Sequence, residues 1–425
     1  MRARQLWSAS SLSFVLLCLA IVGLTISFTA CGSNSSTATC QACGTQPAPN
    51  GFLFAVTESS ITSGQILSFP LNGSTGALGT PLSIASPTPP LGQPFVAGQS
   101  RSYLYLAPLG PPNGNLESSI YGYSIDAATG ALTALPSSPF AIPDTNSWSG
   151  SGFGANNFVY LGALTWNPPS FEGLVPEIQA FTVGSDGSLT SDIPGAPFPV
   201  ATGTNIISGS VPQLSTLSPY IYASEFEGDS GAPGGIAAFT IDSGTGALTS
   251  VPGSPFSTGP TGSPGAIIYD PLGFVYVVLI DSQLGNPPTL EGFAVNSSTG
   301  GLTLLPGSPV TLSGIADLVI DSSGQFLFTG DGPGGQIEES SVDPTTGSLT
   351  PLSATPGRIF PPYWVYGNYL YATTLSNLGE GGEPAGIAVF SIDENTGALT
   401  EVAGSPFPAN GEPIVSMTVA AMPEQ

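Results

Sequence analysis

The chain has 425 residues, with 28 acidic side chains against four arginines, and it contains no lysine and no histidine. The formal net charge of −24 excludes a nucleic-acid partner, because phosphate binding needs clustered Lys and Arg. The missing histidine excludes His-containing triads and His zinc ligands, and the missing lysine excludes Schiff-base chemistry. With 56 glycines, 43 prolines and 41% hydrophobic residues, the composition favours many short strands joined by tight turns.

The N-terminus has the pattern of an export signal. Arg2 and Arg4 precede an apolar run over residues 12–28, and small residues lead from there to Cys31. This order is typical of a secretory signal peptide, and the place of Cys31 resembles the lipobox of bacterial lipoproteins. We predict that residues 1–30 are a lipoprotein signal peptide and that Cys31 is lipidated. The protein would then be exported to the cell envelope, on its periplasmic or cell-surface side, with the lipid as its only membrane contact. An uncleaved signal anchor is the alternative.

Residues 31–50 are small, polar and interrupted by proline, which is typical of a flexible tether. Cys40 and Cys43 form a C-x-x-C pair within this segment. Gly44 stands where haem attachment would need a histidine, and the βαβ setting of a thioredoxin-like motif is absent. A small local disulfide in an oxidising compartment is the interpretation that remains.

The rest of the chain is built from one repeated unit. An Asp/Asn-x-x-Thr-Gly-x-Leu-Thr segment recurs, and its glycines are Gly76, Gly130, Gly187, Gly246, Gly300, Gly347 and Gly397. Successive positions differ by 54, 57, 59, 54, 47 and 50 residues. A period near fifty with strand-like content predicts propeller blades. The segment itself predicts a turn into the fourth strand, in which Gly supplies a positive φ and Asp or Asn accepts backbone hydrogen bonds.

The two ends of the repeat region complete each other. The region begins at Asn50 with the sequence of a second strand, whereas residues 413–420 read as a lone first strand. Joined, they form one four-stranded hybrid blade that hides two open sheet edges. We therefore predict an all-β fold, a seven-bladed β-propeller of four-stranded blades over residues 51–425, closed by this blade.

The run I-x-x-F-x-I-D-x-x-T-G-A-L-T-x-V-x-G-S-P-F, at 236–256 and 387–407, resembles the seven-bladed lactonase family of 6-phosphogluconolactonase-like enzymes. The resemblance covers residues 51–421 and implies the propeller fold and a lactone-hydrolysing activity. Family enzymes show a Pro-Arg-His run entering a first strand. This chain has residues 263–266 and 313–317 at comparable points, and it has no histidine to take that role.

Candidate ligand contacts come from the loops between second and third strands, which share one end of a propeller with the crossings between blades. They are Glu58, Glu225, Asp281 and Asp331, with Arg358 in the crossing from the sixth blade to the seventh. Carboxylates grouped at a channel mouth suit a cation such as calcium or a polyhydroxyl ligand. Solvated loop carboxylates are the plainer interpretation. We expect no resident metal or other cofactor, although a bound calcium ion remains open.

Two functions of different classes follow. The first is a non-catalytic binding or interaction module, anchored to the envelope as a monomer, with a small molecule, a glycan or an envelope protein as its partner. The second is a lactonase-type hydrolase that uses a carboxylate base, Glu225 or Asp281, in place of histidine. A fold alone does not decide between them.

Overall fold

The computed structural model describes residues 50–60, 63–85, 92–97, 102–108, 119–143, 147–155, 157–165, 175–200, 214–217, 219–225, 234–259, 263–280, 286–314, 317–330, 335–357, 359–374, 386–411 and 413–421. All of these residues belong to one compact unit, Ala48–Gln425. The described part of the chain forms strands and turns, arranged as seven antiparallel sheets. The prediction of an all-β fold is confirmed.

The seven sheets are the blades, numbered here from the N-terminus. Blade 1 contains β1 (Gly51–Ser60), β2 (Ser63–Leu71), β3 (Leu82–Ala85) and β34 (Ile414–Ala421). Blade 2 contains β4 (Gly92–Ala97), β5 (Tyr103–Pro108), β6 (Ser119–Ile125), β7 (Leu132–Ala134) and β8 (Phe140–Ala141). Blade 3 contains β9 (Ser147–Ala155), β10 (Phe158–Thr165), β11 (Val175–Val183), β12 (Leu189–Thr190) and β13 (Phe198–Pro199). Blade 4 contains β14 (Leu214–Leu217), β15 (Tyr220–Glu225), β16 (Gly235–Ile241), β17 (Leu248–Ser250) and β18 (Phe256–Ser257).

The last three blades repeat this plan. Blade 5 contains β19 (Ser263–Asp270), β20 (Phe274–Ile280), β21 (Thr289–Val295), β22 (Leu302–Leu304) and β23 (Val310–Thr311). Blade 6 contains β24 (Leu318–Ile320), β25 (Phe326–Gly330), β26 (Gln336–Val342), β27 (Leu349–Pro351) and β28 (Thr355–Pro356). Blade 7 contains β29 (Ile359–Tyr366), β30 (Tyr369–Thr374), β31 (Gly386–Ile392), β32 (Leu399–Glu401) and β33 (Phe407–Pro408).

The blades close into a ring. The first strand of every blade is innermost, and each inner strand contacts the next in the order β34, β4, β9, β14, β19, β24, β29 and back to β34. Apolar clusters fill the spaces between neighbouring blades, as where Tyr160 of blade 3 packs with Ile221 and Phe239 of blade 4. The chain is therefore the predicted seven-bladed β-propeller.

The hybrid blade is also confirmed. β34 pairs antiparallel with β1, from Gly51 opposite Ala421 to Thr57 opposite Ile414, in the sheet order β3-β2-β1-β34. The last strand of the chain thus becomes the inner strand of the first blade. This pairing covers the edge that β1 would otherwise expose.

Six of the outer strands differ from the sequence expectation, because each is divided into two short pieces that both pair with the third strand. The division falls at a proline-containing segment that reads Gly-Ser-Pro-Phe in blades 4 and 7 and varies in the other four. In four blades the serine hydroxyl accepts the third-strand N–H that the interrupted strand leaves unpaired; the pairs are Gly122 with Ser138, Ala238 with Ser254, Gly292 with Ser308, and Val389 with Ser405. A side chain thus replaces one bond of the ladder.

The repeated turn forms as predicted. In blade 4, Asp242 Oδ1 accepts the N–H of Gly244 at 3.0 Å and of Thr245 at 2.8 Å. Gly246 then adopts a φ of 74°, in the left-handed region that glycine occupies without strain. Local hydrogen bonds and one glycine are sufficient for this turn, which explains its recurrence in six blades. Blade 3 has a shorter turn from Gly184 to Gly187, in which Asp186 accepts the N–H of Ser188.

The same glycine has a second role that only the assembled ring makes visible. An aromatic ring from the preceding blade lies against it: a Cβ at Gly246 would be 2.6 Å from the ring of Phe158. The Gly246 carbonyl also accepts a 2.7 Å hydrogen bond from the buried hydroxyl of Tyr160. Equivalent ring contacts occur at all seven repeated glycines, from Phe52, Tyr103, Phe158, Tyr220, Phe274, Phe326 and Tyr369. Each turn therefore packs against the preceding blade and stabilises the interface between the two blades.

We expect Gly246→Ala to destabilise the propeller by at least ~2 kcal/mol, because it adds left-handed strain to a clash with a packed ring. Gly244→Ala is the matched control in the same turn, where the nearest atom to an added Cβ is Asp242 Oδ1 at 3.5 Å. Urea unfolding of both variants measures the difference. Equal midpoints would contradict the contact between the blades.

Candidate functional site

The two ends of the propeller carry different structures. We call the end that holds the second-to-third loops and the blade crossings the loop end. The end that holds the first-to-second and third-to-fourth turns is called the turn end. Of the candidate residues of the sequence analysis, Glu58 and Glu225 belong to strands that reach the loop end.

The structure describes two of those candidates only as strand positions. Glu58 lies in β1 opposite Gly64, and Glu225 is the last residue of β15, opposite Gly235. Both lie where second strands reach the loop end, but blades 1 and 4 are not neighbours in the ring. Asp281, Asp331, Arg358, Cys31, Cys40 and Cys43 lie outside the described residues. The predictions for these side chains stay predictions.

A carboxylate that the sequence analysis did not select occupies a defined place at the loop end. Asp317 directly precedes the inner strand β24, and its side chain reaches the inner strand of the next blade. Asp317 Oδ2 accepts the N–H of Tyr363 at 2.7 Å, and Oδ1 accepts the N–H of Leu318 at 2.8 Å. The Tyr363 N–H can donate because one side of an inner strand has no ladder partner. Asp317 therefore bridges blades 6 and 7 beside the channel.

The surroundings of Asp317 raise its proton affinity. Burial raises the pKa of its carboxyl to about 6, and the two backbone N–H groups of Tyr363 and Leu318 only partly oppose this. The residue as a whole is of intermediate exposure. Each carboxylate oxygen accepts one described backbone bond and has a second lone pair for a water molecule. An ionised, unusually basic carboxylate of this kind can act as a general base at neutral pH.

Neighbouring groups fix the packing around Asp317. The Gly330 N–H donates to the Asp317 carbonyl at 3.3 Å, and a Cβ at Gly330 would lie 2.6 Å from the Tyr363 hydroxyl. The Ser313 hydroxyl donates to the carboxylate of Glu338. In the chain, Gly330 directly precedes Asp331, and Ile359 directly follows Arg358. In the sequence, residues 313–317 stand at a point comparable to the Pro-Arg-His run of the family. The signal there was an acidic residue directly before an apolar inner strand.

Two other buried carboxylates, Glu291 and Glu339, accept hydrogen bonds that have a structural role. Glu291 accepts the Gly259 N–H at 2.9 Å and is 1% exposed, and Glu339 accepts the Thr355 hydroxyl. Burial raises the pKa of both groups, against these hydrogen bonds. Glu291 thus contacts the crossing from blade 4 to blade 5, whereas Glu339 contacts the outer strand β28 of its own blade.

The turn end holds a second pair of acids. Asp270 is the last residue of the inner strand of blade 5, Asp321 directly follows the inner strand of blade 6, and both are buried. Asp321 accepts the Phe326 N–H at 2.7 Å and the Ser323 N–H at 2.9 Å. Asp270 Oδ1 accepts the Leu272 N–H at 2.7 Å, whereas Oδ2 is buried without a partner. Burial, together with the nearby charge of Asp321, raises the pKa of Asp270 to about 7.

The described residues provide neither a metal-binding cluster nor a membrane-spanning helix. Within those residues no group of three or more His, Cys, Asp and Glu is placed to hold a metal ion. The same part of the chain contains no helix with the length and hydropathy needed to span a membrane.

Comparison with known proteins identifies the fold. No family model matches the chain, and no curated protein matches it either. Solved structures do match along nearly their whole length. The periplasmic gluconolactonase of Pseudomonas aeruginosa is 16% identical with a TM-score of 0.62, over 88% of this chain and 99% of that one. The chain shares the seven-bladed β-propeller fold of this structure.

Two further structures, both provisionally assigned as 6-phosphogluconolactonases, agree. The Bacteroides uniformis protein is 18% identical with a TM-score of 0.62, over 87% of this chain and 99% of that one. The Bacteroides fragilis protein is 19% identical with a TM-score of 0.59, over 87% and 98%. The family resemblance of the sequence is thus confirmed at the level of the fold, and these three structural neighbours are lactonase-like.

Proposed function

We propose that this lactonase-type propeller hydrolyses an uncharged lactone, with Asp317 as the general base. The observation that carries the proposal is the placement of Asp317, a residue of intermediate exposure whose carboxyl has a pKa of about 6, at the loop end of the channel. The gluconolactonase of Pseudomonas aeruginosa, similar in fold over 88% of this chain, supports the reaction class. Glu225 and Asp281, named from the sequence, remain alternative bases.

The reaction needs one base and one water molecule. Asp317 accepts a proton as the water oxygen bonds to the lactone carbonyl carbon, and a tetrahedral oxyanion forms. The bond from this carbon to the ring oxygen then breaks. The ring oxygen takes the proton back from Asp317, so the product is a hydroxy acid and the enzyme returns to its starting state.

Charge selects the class of lactone. A phosphorylated substrate would meet the field of a chain that carries 28 acidic and four basic residues. An uncharged sugar lactone avoids this repulsion. We assign Arg358, the residue before β29 in the sequence, to bind the carbonyl oxygen of the lactone.

We expect Asp317→Asn to lower kcat/KM by about 10²- to 10⁴-fold, the usual contribution of a general base. In the unmutated protein, kcat/KM should rise with pH to a plateau with an inflection near 6, because the ionised carboxylate is the active form. Hydrolysis of glucono-δ-lactone, above its spontaneous rate, measures both.

Glu339→Gln is the matched control, a buried acid of the same blade that does not reach the channel, and it should retain activity. Thermal melts of both variants separate a lost base from a lost fold. Equal activity of Asp317→Asn and the unmutated protein would remove Asp317 from the reaction, and the same test on Glu225→Gln and Asp281→Asn would follow.

The second candidate is a non-catalytic binding propeller on the cell envelope. The specific observation in its favour is the composition, because a chain without histidine lacks the side chain that most often transfers protons in enzymes. No turnover of charged and uncharged lactones by the folded protein would establish this candidate over the first.

An envelope location is part of either proposal. We expect Cys31→Ser to block maturation and to release the protein from the membrane fraction, because a serine cannot take the lipid. Mass spectrometry and fractionation of the two proteins measure this. A Cys31→Ser protein that stays membrane-bound at an unchanged mass would instead support a signal anchor.

A further inference from the structure

A polar cleft of about 410 Å³ lies at the turn end, between blades 6 and 7. One wall is the first-to-second turn of blade 6, with Asp321, Ser322 and Gln325. The other wall comes from blade 7, with Asn368 in its first-to-second turn and Glu394 and Asn395 in its repeated turn. The volume falls within the range of small-molecule sites. The cleft lies at the opposite end of the propeller from Asp317.

The residues of the blade 7 wall depart from the repeat. The repeated turn needs Asp or Asn at its first position, Thr at its fourth and Gly at its fifth, and its second and third positions are free. These two positions are Gly-Ser, Ala-Ala, Ser-Gly, Ser-Ser and Pro-Thr in blades 1, 2, 4, 5 and 6. In blade 7 they are Glu394 and Asn395, and the Asn368 amide donates to the Glu394 carboxylate. The turn itself does not explain the two longer side chains.

The chemistry of the lining decides the class of ligand. Gln325, Asn395 and Ser322 each offer both a donor and an acceptor, and all three are exposed. None of the lining residues is basic or aromatic, and two are carboxylates. An anion would be repelled, and a flat aromatic ligand would find no ring to stack on. Hydroxyl groups, which donate and accept, complement this lining.

A metal ion fits less well than a polyhydroxyl ligand. Calcium takes six to eight oxygen ligands at about 2.3–2.6 Å. Here the two carboxylates already accept hydrogen bonds, Asp321 from Ser323 and Phe326 and Glu394 from Asn368. The walls also come from separate blades across an open cleft rather than from one chelating loop.

The geometry points to a neutral saccharide site in this cleft, with Gln325 and Asn395 as contacts from opposite walls. It does not depend on lactone hydrolysis, because it shares no residue with the site at the loop end. A propeller with this site binds an uncharged glycan at one end and carries its reaction at the other.

The test is titration of the folded protein with maltotriose, cellotriose and N,N′-diacetylchitobiose, followed by NMR or calorimetry. We expect saturable binding of at least one of them, with a Kd on the order of 1 mM. The double variant Gln325→Ala with Asn395→Ala should weaken binding at least ~10-fold, which corresponds to about 1.4 kcal/mol. Thr345→Ala, at the same turn position in blade 6, is the control and should bind normally, as should Asp317→Asn.

Three outcomes would overturn the assignment. They are no saturable binding of any of the three saccharides, an unchanged affinity in the double variant, and binding of gluconate or calcium at the cleft in place of the neutral saccharides. If the unmutated protein binds a saccharide but hydrolyses no lactone, this result would count against the proposed reaction alone.

Discussion

Removal of residues 413–425 is expected to abolish cooperative folding of the propeller. These residues include β34, the inner strand of blade 1, which pairs with β1 and contacts the inner strands of blades 7 and 2. Ile414, Met417 and Val419 are buried with Tyr371 and Ile387 of blade 7. At roughly 2 kcal/mol for each buried side chain, the three contribute about 6 kcal/mol, which is comparable to the whole stability of a domain.

The shortened chain would also expose the edge of β1 and the inner surface of blade 7. We expect aggregation or a broad transition without a sharp midpoint, measured by calorimetry and light scattering. A chain that lacks only residues 422–425 is the control, because it keeps all of β34. An unchanged melting transition in the chain without β34 would contradict the closure of the ring by the hybrid blade.

A circular permutant provides a positive test of the same closure. Gly51 and Ala421 are paired across β1 and β34, so a short linker can join the two ends. New termini within residues 226–233 of the blade 4 loop would leave every described strand intact. The permutant should melt as one cooperative unit, whereas failure to fold would argue that the ends are not adjacent.

The melting temperature is expected to rise as the pH falls from 8 to about 5. Asp270 is 0% exposed, and its pKa in the fold is about 7 against 3.8 in an unfolded chain. A group with a raised folded pKa adds stability below its unfolded value and loses it as the pH rises through the folded value. The shift of roughly three pKa units corresponds to about 4 kcal/mol lost between pH 4 and pH 8. Asp317, with a pKa of about 6, acts in the same direction.

The turn carboxylates act in the opposite direction and at a lower pH. Hydrogen bonds from turn hydroxyls and backbone N–H groups lower the pKa of Asp126, Asp186, Asp242, Asp343 and Asp393. Their contribution is present above the unfolded pKa of 3.8 and is lost as the pH falls through their folded values. We therefore expect a stability maximum between about pH 4 and pH 5, where neither group of acids destabilises the fold.

Asp270→Asn separates the two effects. The asparagine amide is uncharged, so the variant does not bury a charge at pH 8. Its NH₂ group would take the place of the unpartnered Oδ2, and these buried donors without an acceptor would lower the free energy of unfolding by ~1–3 kcal/mol. The variant should gain ~1–3 kcal/mol at pH 8 and lose most of its pH dependence above pH 5. Asp321→Asn is the control and should be destabilised at both pH values, since Asp321 accepts bonds from Phe326 and Ser323. A melting temperature that falls steadily from pH 7 to pH 5 would contradict the role of Asp270.

The sequence by itself determined the fold, because the information for each blade is local and repeated seven times. The turn from Asp242 to Gly246 needs only its own side chain, its own backbone and one glycine. Strands follow from alternating apolar residues between such turns, and the hybrid blade follows from a missing first strand at one end and a lone one at the other. The glycine was correctly assigned to the turn, but its contact with Phe158 of the preceding blade was not foreseen.

Only the tertiary structure decided where the chemistry lies. Asp317 is one acid among 28, and its raised pKa arises from burial, which the hydrogen bond from Tyr363, 46 residues away in the chain, only partly opposes. The cleft of Gln325 and Asn395 joins turns of two blades that have no sequence signal in common. Asp270 is set apart from the capped turn acids by an oxygen that the neighbouring blade buries without a partner. Burial and electrostatic interaction between blades depend on the closed ring, whereas the repeat specifies only the single blade.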